Sequence, residues 1–209
     1  MSGIISELQQ DALSKDIDIL SLLRKAYLVA RKLNLKEFEQ WIEQEQNGYK
    51  TADVPSYRVL YGEVKAWNPY HGWIPVIFND DLGLNKHNAR DSVANLVSLC
   101  NSESEDCLVN FSTKISNALS ESTDFQTKYS LQIPKNQIYN IIEQVRNKIL
   151  DWSLTLEENG IIGEGLQFSA EEKNIAKTNP IVNNYTNNFY SDVSNTQIQQ
   201  DTVDSKQES

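Results

Sequence analysis

Cysteine is almost missing from this sequence: Cys100 and Cys107 stand alone in 209 residues. That scarcity argues against a disulfide framework and gives a cytoplasmic setting as the expectation. Histidine is as sparse, with His71 and His87 alone, and the spacing of these Cys and His residues matches no common structural zinc site. The eight glycines are scattered. They form no phosphate-cradling loop, no dinucleotide fingerprint and no nucleophile elbow. No apolar run approaches the roughly 18 residues of a membrane-spanning helix. The opening MSGIISELQQDALSKD lacks the basic region and apolar block of a secretory signal. Positive charge is in the minority, 19 Lys and Arg against 29 Asp and Glu, for a net charge of −10. Such a balance opposes indiscriminate binding to phosphate backbones, where Lys and Arg must displace counterions. The expectation from these absences is no metal, no cofactor, no membrane and no nucleic-acid partner.

What is present is periodic. Ile4, Ile5, Leu8 and Leu13 pattern a short helix over 2–12. Ile19, Leu20, Leu23, Tyr27, Ala30 and Leu33 recur at three- and four-residue steps and predict a second helix, with the cap-type residues Ser14, Asp16 and Asp18 before it. After a break at Asn34, Leu35, Phe38, Trp41 and Ile42 mark a third, about 35–47, closed by Asn47-Gly48. From Tyr57 the period changes. Tyr57, Val59, Tyr61, Val64 and Trp67 approximate strand alternation, Asn68–Gly72 supplies a turn, and Trp73–Phe78 reads as a returning strand at an edge, because Pro75 interrupts it. Residues 84–101 pattern a helix, Cys107–Phe111 a short strand, 113–121 a weak helix and 129–133 a second short strand. Ile138, Ile141, Ile142, Val145, Ile149 and Trp152 then predict a long helix between Pro134 and Asn159-Gly160. The fold class is α+β: an N-terminal three-helix segment with a helical hairpin, a small antiparallel sheet, a long C-terminal helix and a flexible Asn/Gln-rich tail. Residues 1–165 form the domain and 166–209 the tail.

Three groups of residues invite a functional reading. In LLRKAYLVARKL (22–33), Arg24 and Arg31 share a face, as do Lys25 and Lys32. They make a possible basic patch. The neighbouring third helix carries Glu37, Glu39, Glu43 and Glu45, so a hairpin at Asn34 places acids beside bases, and solvated, partly paired helix faces are expected. Asp80-Asp81 with His87 and Arg90 is the densest polar cluster and the one place for acid/base chemistry; helix capping is the plainer role for its carboxylates. The tryptophans fit core positions, with Trp67 and Trp73, beside the turn, the least secure. In the tail, Ile181, Tyr185, Phe189 and Val193 fall at four-residue intervals and Ile198 follows. An extended chain would present the first four on one side, so the tail is either disordered or strand-forming on assembly.

LLRKAYLVARKL runs into KEFEQWIEQEQNGY and then VPSYRVLYGEV, with the helix at 84–101 and ILDWSLTLE further on. This order resembles the AbiTii domain family of bacterial proteins associated with abortive infection and phage resistance, over about 1–160. The resemblance implies a role in defence against phage and brings no catalytic residues to carry over. The element SNTQIQQ is similar to Asn-rich C-terminal segments of other bacterial defence-associated proteins. The resulting expectation is a non-enzymatic interaction module. Its domain would recognise an effector or phage component, and its tail would mediate homo-oligomerisation. A toxin-like effector using Asp80, Asp81, His87 and Arg90, or a nucleotide or nucleic-acid sensor using Arg24, Lys25, Arg31 and Lys32, are the alternatives.

Overall fold

A computed structural model describes residues 3–50, 53–77, 83–104 and 106–190. Helix α1 (Ile4–Leu13) buries Ile4, Ile5, Leu8 and Ala12. Helix α2 (Ile19–Leu33) buries Leu22, Leu23, Ala26, Val29, Ala30 and Leu33, and the Asp18 carboxylate caps it by accepting from the Ser21 N–H at 2.9 Å. Asn34 takes a left-handed backbone, φ 60°, and turns the chain into α3 (Lys36–Asn47), which ends at Gly48 with φ 86°. Helices α1 and α2 pack on α6 (Lys135–Glu158), whose stripe Ile138, Ile141, Ile142, Val145, Ile149, Trp152 and Leu156 is buried, and α3 reaches it through Phe38, whose ring stacks on Trp152 at 3.8 Å. At about 1.5–3 kcal/mol for each large side chain, that stripe is the main apolar investment of the fold. Arg146 of α6 gathers the open C-terminal carbonyls of α1 and its loop, donating to Asp11, Ala12 and Ser14 O at 3.1–3.4 Å and to Ile17 O at 2.8 Å.

The alternating run from Tyr57 divides in two. A 3-10 turn at Ser56–Arg58 leads to β1 (Val59–Tyr61), and after Gly62 the chain continues as β2 (Glu63–Asn68). A Cβ on Gly62 would lie 2.5 Å from the Gln132 carbonyl oxygen, so a larger residue would push the strands apart there. β1 pairs antiparallel with β4 (Lys86–Asn88). A second antiparallel sheet has the order β3-β2-β6-β5, with β3 at Gly72–Pro75, β5 at Asp106–Asn110 and β6 at Tyr129–Pro134. Pro75 does lie in an edge strand. The helix expected over 84–101 is shorter: 86–88 are drawn into pairing with β1, and α4 (Val93–Cys100) begins at a Ser92 cap whose hydroxyl accepts from the Asn95 N–H at 3.3 Å. Helix α5 (Thr113–Thr123) lies between β5 and β6.

The compositional change after Gly165 does not end the packed body. Helix α7 (Ala170–Thr178), the short helix α8 (Pro180–Asn183) and a 3-10 turn at Tyr185–Phe189 return along it, burying Phe168, Ala176, Val182 and Phe189. The extended presentation expected for Ile181, Tyr185 and Phe189 is replaced by a helical one. Asn179 caps the turn and Pro180 occupies its first position. Inward positions therefore fall at Val182, Thr186 and Phe189, while Ile181 faces solvent at 65 % exposure. Val193 and Ile198 lie outside the described residues.

Candidate functional site

The basic residues of α2 are dispersed by their partners. Lys25 turns toward α1, with its Nζ 2.6 Å from Asp11 and 3.7 Å from Glu7. Arg31 pairs with Glu39 of α3, which Lys36 also contacts at 3.0 Å. Burial opposes ionisation of Glu39, but hydrogen bonds from Arg31 and Lys36 outweigh it and hold its carboxyl below the usual range. Arg24 is exposed and Lys32 half-exposed on the same helix. Pairing with α3 thus holds for Arg31, whereas Lys25 belongs to α1.

Glu45 departs furthest from the expectation of a solvated acid. It follows Trp41 by four residues and Ile42 by three, which puts it on the buried side of α3. Its Oε1 accepts from the Tyr49 hydroxyl at 2.6 Å, the Tyr57 hydroxyl at 2.7 Å and Arg58 Nε at 3.0 Å, and its Oε2 from Arg58 Nη2. Arg58 Nη1 donates onward to Ala89 O at 2.8 Å and Asp91 O at 2.9 Å. The indole of Trp41 donates to the Tyr57 oxygen at 2.8 Å. Both charged side chains have 0 % exposure. Burial, then the Glu45 charge, pushes the Tyr57 hydroxyl well above its ordinary value, so it stays a proton donor. The cluster ties α3 to the 3-10 turn and to the segment before α4. A sequence signal for it existed in the 38, 41, 42, 45 and 49 spacing, but an acid among glutamates reads first as solvated.

Of the polar group Asp80, Asp81, His87 and Arg90, the described residues include His87 and Arg90. His87 is half-buried on β4 opposite Leu60, and burial pushes its imidazole below its ordinary value against the pull of Asp91. Arg90 Nη1 reaches Tyr49 O at 3.5 Å. Asp80 and Asp81 lie outside the described residues. His71 belongs to the β2–β3 turn, in the other sheet. Cys100 and Cys107 are free and half-buried, and burial pushes both thiols up, away from reactive thiolates. Among the described residues, no three His, Cys, Asp or Glu side chains group to hold a metal, and no helix is long and apolar enough to cross a membrane.

Two surfaces among the described residues carry exposed or loosely covered aromatic side chains relevant to binding. On the β3-β2-β6-β5 sheet, Val64, Ala66, Tyr129, Leu131 and Ile133 face the core. The opposite face carries the cross-strand neighbours Trp67 and Trp73, with centroids 5.4 Å apart at 72°, beside Lys65 and Glu63. Trp67 is 40 % exposed, and Tyr70 at the hairpin tip is 91 % exposed. The second surface is the groove between α3 and α6, into which the C-terminal segment folds. Phe189 packs edge-on to Trp41 at 5.2 Å, and the Lys148 ammonium lies 4.1 Å over its ring. Burial pushes Lys148 below its ordinary value.

The three-helix start, the Glu45–Arg58 tie between α3 and the first strand, and the long α6 extend over a span that one family model covers: AbiTii, matched by residues 3–181. The chain belongs to the AbiTii family. Membership associates it with bacterial abortive-infection defence. The AbiTii match runs through α7 into the first residues of α8 and stops short of Phe189. No curated protein and no solved structure matches the chain.

Proposed function

We propose that this AbiTii protein acts without catalysis, as an interaction and assembly module of cytoplasmic anti-phage defence. Its α+β body recognises a protein partner, either an effector or a phage component. Its C-terminal residues, Ile181, Tyr185 and Phe189 with Val193 and Ile198 beyond, mediate self-assembly. The Trp67–Trp73 pair carries the recognition reading: tryptophans displayed on the outer face of a sheet are the residue type that anchors protein interfaces. In support, the fully buried charged pair Glu45–Arg58 is used internally, hydrogen-bonded also to Tyr49, Tyr57, Ala89 and Asp91.

The test is protection of bacteria against phage by Trp67→Ala with Trp73→Ala. The variant loses about 0.5–1.5 kcal/mol of ring–ring contact beyond the area the two rings bury, and plaque protection is expected to fall in a double variant whose thermal melt and protein level show it folded. Full protection by a folded double variant would remove this face from recognition.

A further inference from the structure

The C-terminal segment resembles the helices, and differs from the strands, in sharing no backbone ladder with the body among the described residues. Its backbone hydrogen bonds close on themselves, Val182 and Asn183 to Asn179 O, Asn184 to Pro180 O and Asn187 to Asn184 O. Its ties to the body run through side chains: Thr186 Oγ1 to Glu37 at 3.4 Å, the Tyr190 hydroxyl to Gln44 at 3.0 Å, and Ser56 Oγ to the Phe189 carbonyl at 3.5 Å. Two apolar anchors enter the groove, Val182 at 1 % exposure and the Phe189 ring against Trp41, capped by Lys148. The groove is wider than its occupant, with clefts of about 610 and 310 Å³ along the segment's two sides. Upstream, α7 is held in place by Glu172, whose carboxylate accepts from the Ile162, Gly163 and Ser169 N–H groups at 2.7–2.9 Å. Between the fixed helix and the segment stands Asn179, extended at φ −81° and ψ 114° ahead of Pro180.

We infer that residues 180–190 form an exchangeable plug, and that the groove between α3 and α6 accepts the same segment from a second copy of this chain. This deepens the assembly reading above and rests on it. Rotation at Asn179 has to break its side-chain bond to Asn159 Oδ1 at 2.6 Å but no backbone ladder to the body, and it releases the plug as a unit whose eleven residues, kept helical, span about 16–22 Å. The groove already selects this sequence, with the Trp41 wall for the Phe189 ring, the Lys148 cation over that ring, and the Glu37 carboxylate and Gln44 amide as acceptors at the rim. Reciprocal exchange satisfies both grooves and closes a two-fold dimer.

Light scattering of the full chain across a concentration series tests it. Wild type is expected to rise from monomer to dimer mass. Phe189→Ala, with an open groove and no aromatic anchor, and Lys148→Glu, with that anchor and a spoiled groove, are each expected to stay monomeric. Their equimolar mixture recovers dimer through the one intact combination. A measurement free of variants adds the synthetic peptide PIVNNYTNNFY in excess to wild type, which is expected to return the mass to monomer. Dimer that persists in Phe189→Ala, or that excess peptide leaves intact, overturns exchange while assembly stands; so does a folded mixture that remains monomeric. Wild type monomeric at every concentration overturns the assembly reading itself, and exchange with it.

Discussion

Glu45 and Arg58 hold opposite charges at 0 % exposure, and their arithmetic is unforgiving. A buried pair returns its desolvation cost only while both partners and their extra hydrogen bonds are in place. Here the extras are the two tyrosine hydroxyls on the acid and the Ala89 and Asp91 carbonyls on the base. Arg58→Met leaves a bare carboxylate in the core and is expected to cost about 3–5 kcal/mol of unfolding free energy. Replacing both, Glu45→Met with Arg58→Met, removes the uncompensated charge and is expected to cost less than Arg58→Met alone. Urea unfolding of the single and double variants reads the difference. Costs that simply add would mean that the pair is not coupled.

Helix α7 depends on one carboxylate. Ser169 and Glu172 form a reciprocal capping box, and the same Glu172 also accepts from the Ile162 and Gly163 N–H groups, joining the loop to the helix. Burial disfavours its charge, but the N–H donors of Gly163, Ser169 and Ile162 outweigh it and hold the carboxyl below its ordinary value. A depressed acid contributes stability that is present above its unfolded value, about 4.3, and lost as pH falls through the lower folded one. Wild type should therefore exceed Glu172→Gln by about 1 kcal/mol near neutrality, and the gap should close below pH about 4 in thermal melts taken across pH. At this scale the sequence was legible wherever an element carries its own period. α2, α3 and α6 stand near their expected bounds because apolar residues at three- and four-residue steps have no alternative use. β4 was not legible, since Lys86, His87 and Asn88 have no strand pattern and are extended only because β1 lies beside them. The split at Gly62 depended on how closely the Gln132 carbonyl approaches. The four-residue spacing of Ile181, Tyr185 and Phe189 suits a strand face and a helical turn alike, and the Asn179-Pro180 cap decided between them. Glu45 was hidden by its company, because three glutamates at neighbouring positions made a solvated face the simpler reading.

At the scale of the molecule, the body is a helical layer around α6 beside a sheet that keeps one face for the core and offers the other, with Trp67, Trp73 and Lys65, outward. The C-terminal plug closes a groove on the helical side, so the two proposed surfaces belong to different elements and can be disabled separately. Phe189→Ala should abolish assembly and leave the sheet face intact, whereas Trp67→Ala with Trp73→Ala should leave assembly intact. The central claim is that this protein works by binding another protein through its body. The most direct measurement is quantitative affinity capture from phage-infected cells with wild type and the Trp67→Ala, Trp73→Ala variant side by side. The account predicts a protein enriched by wild type and lost from the equally abundant, folded variant. Identical capture profiles for the two would contradict it.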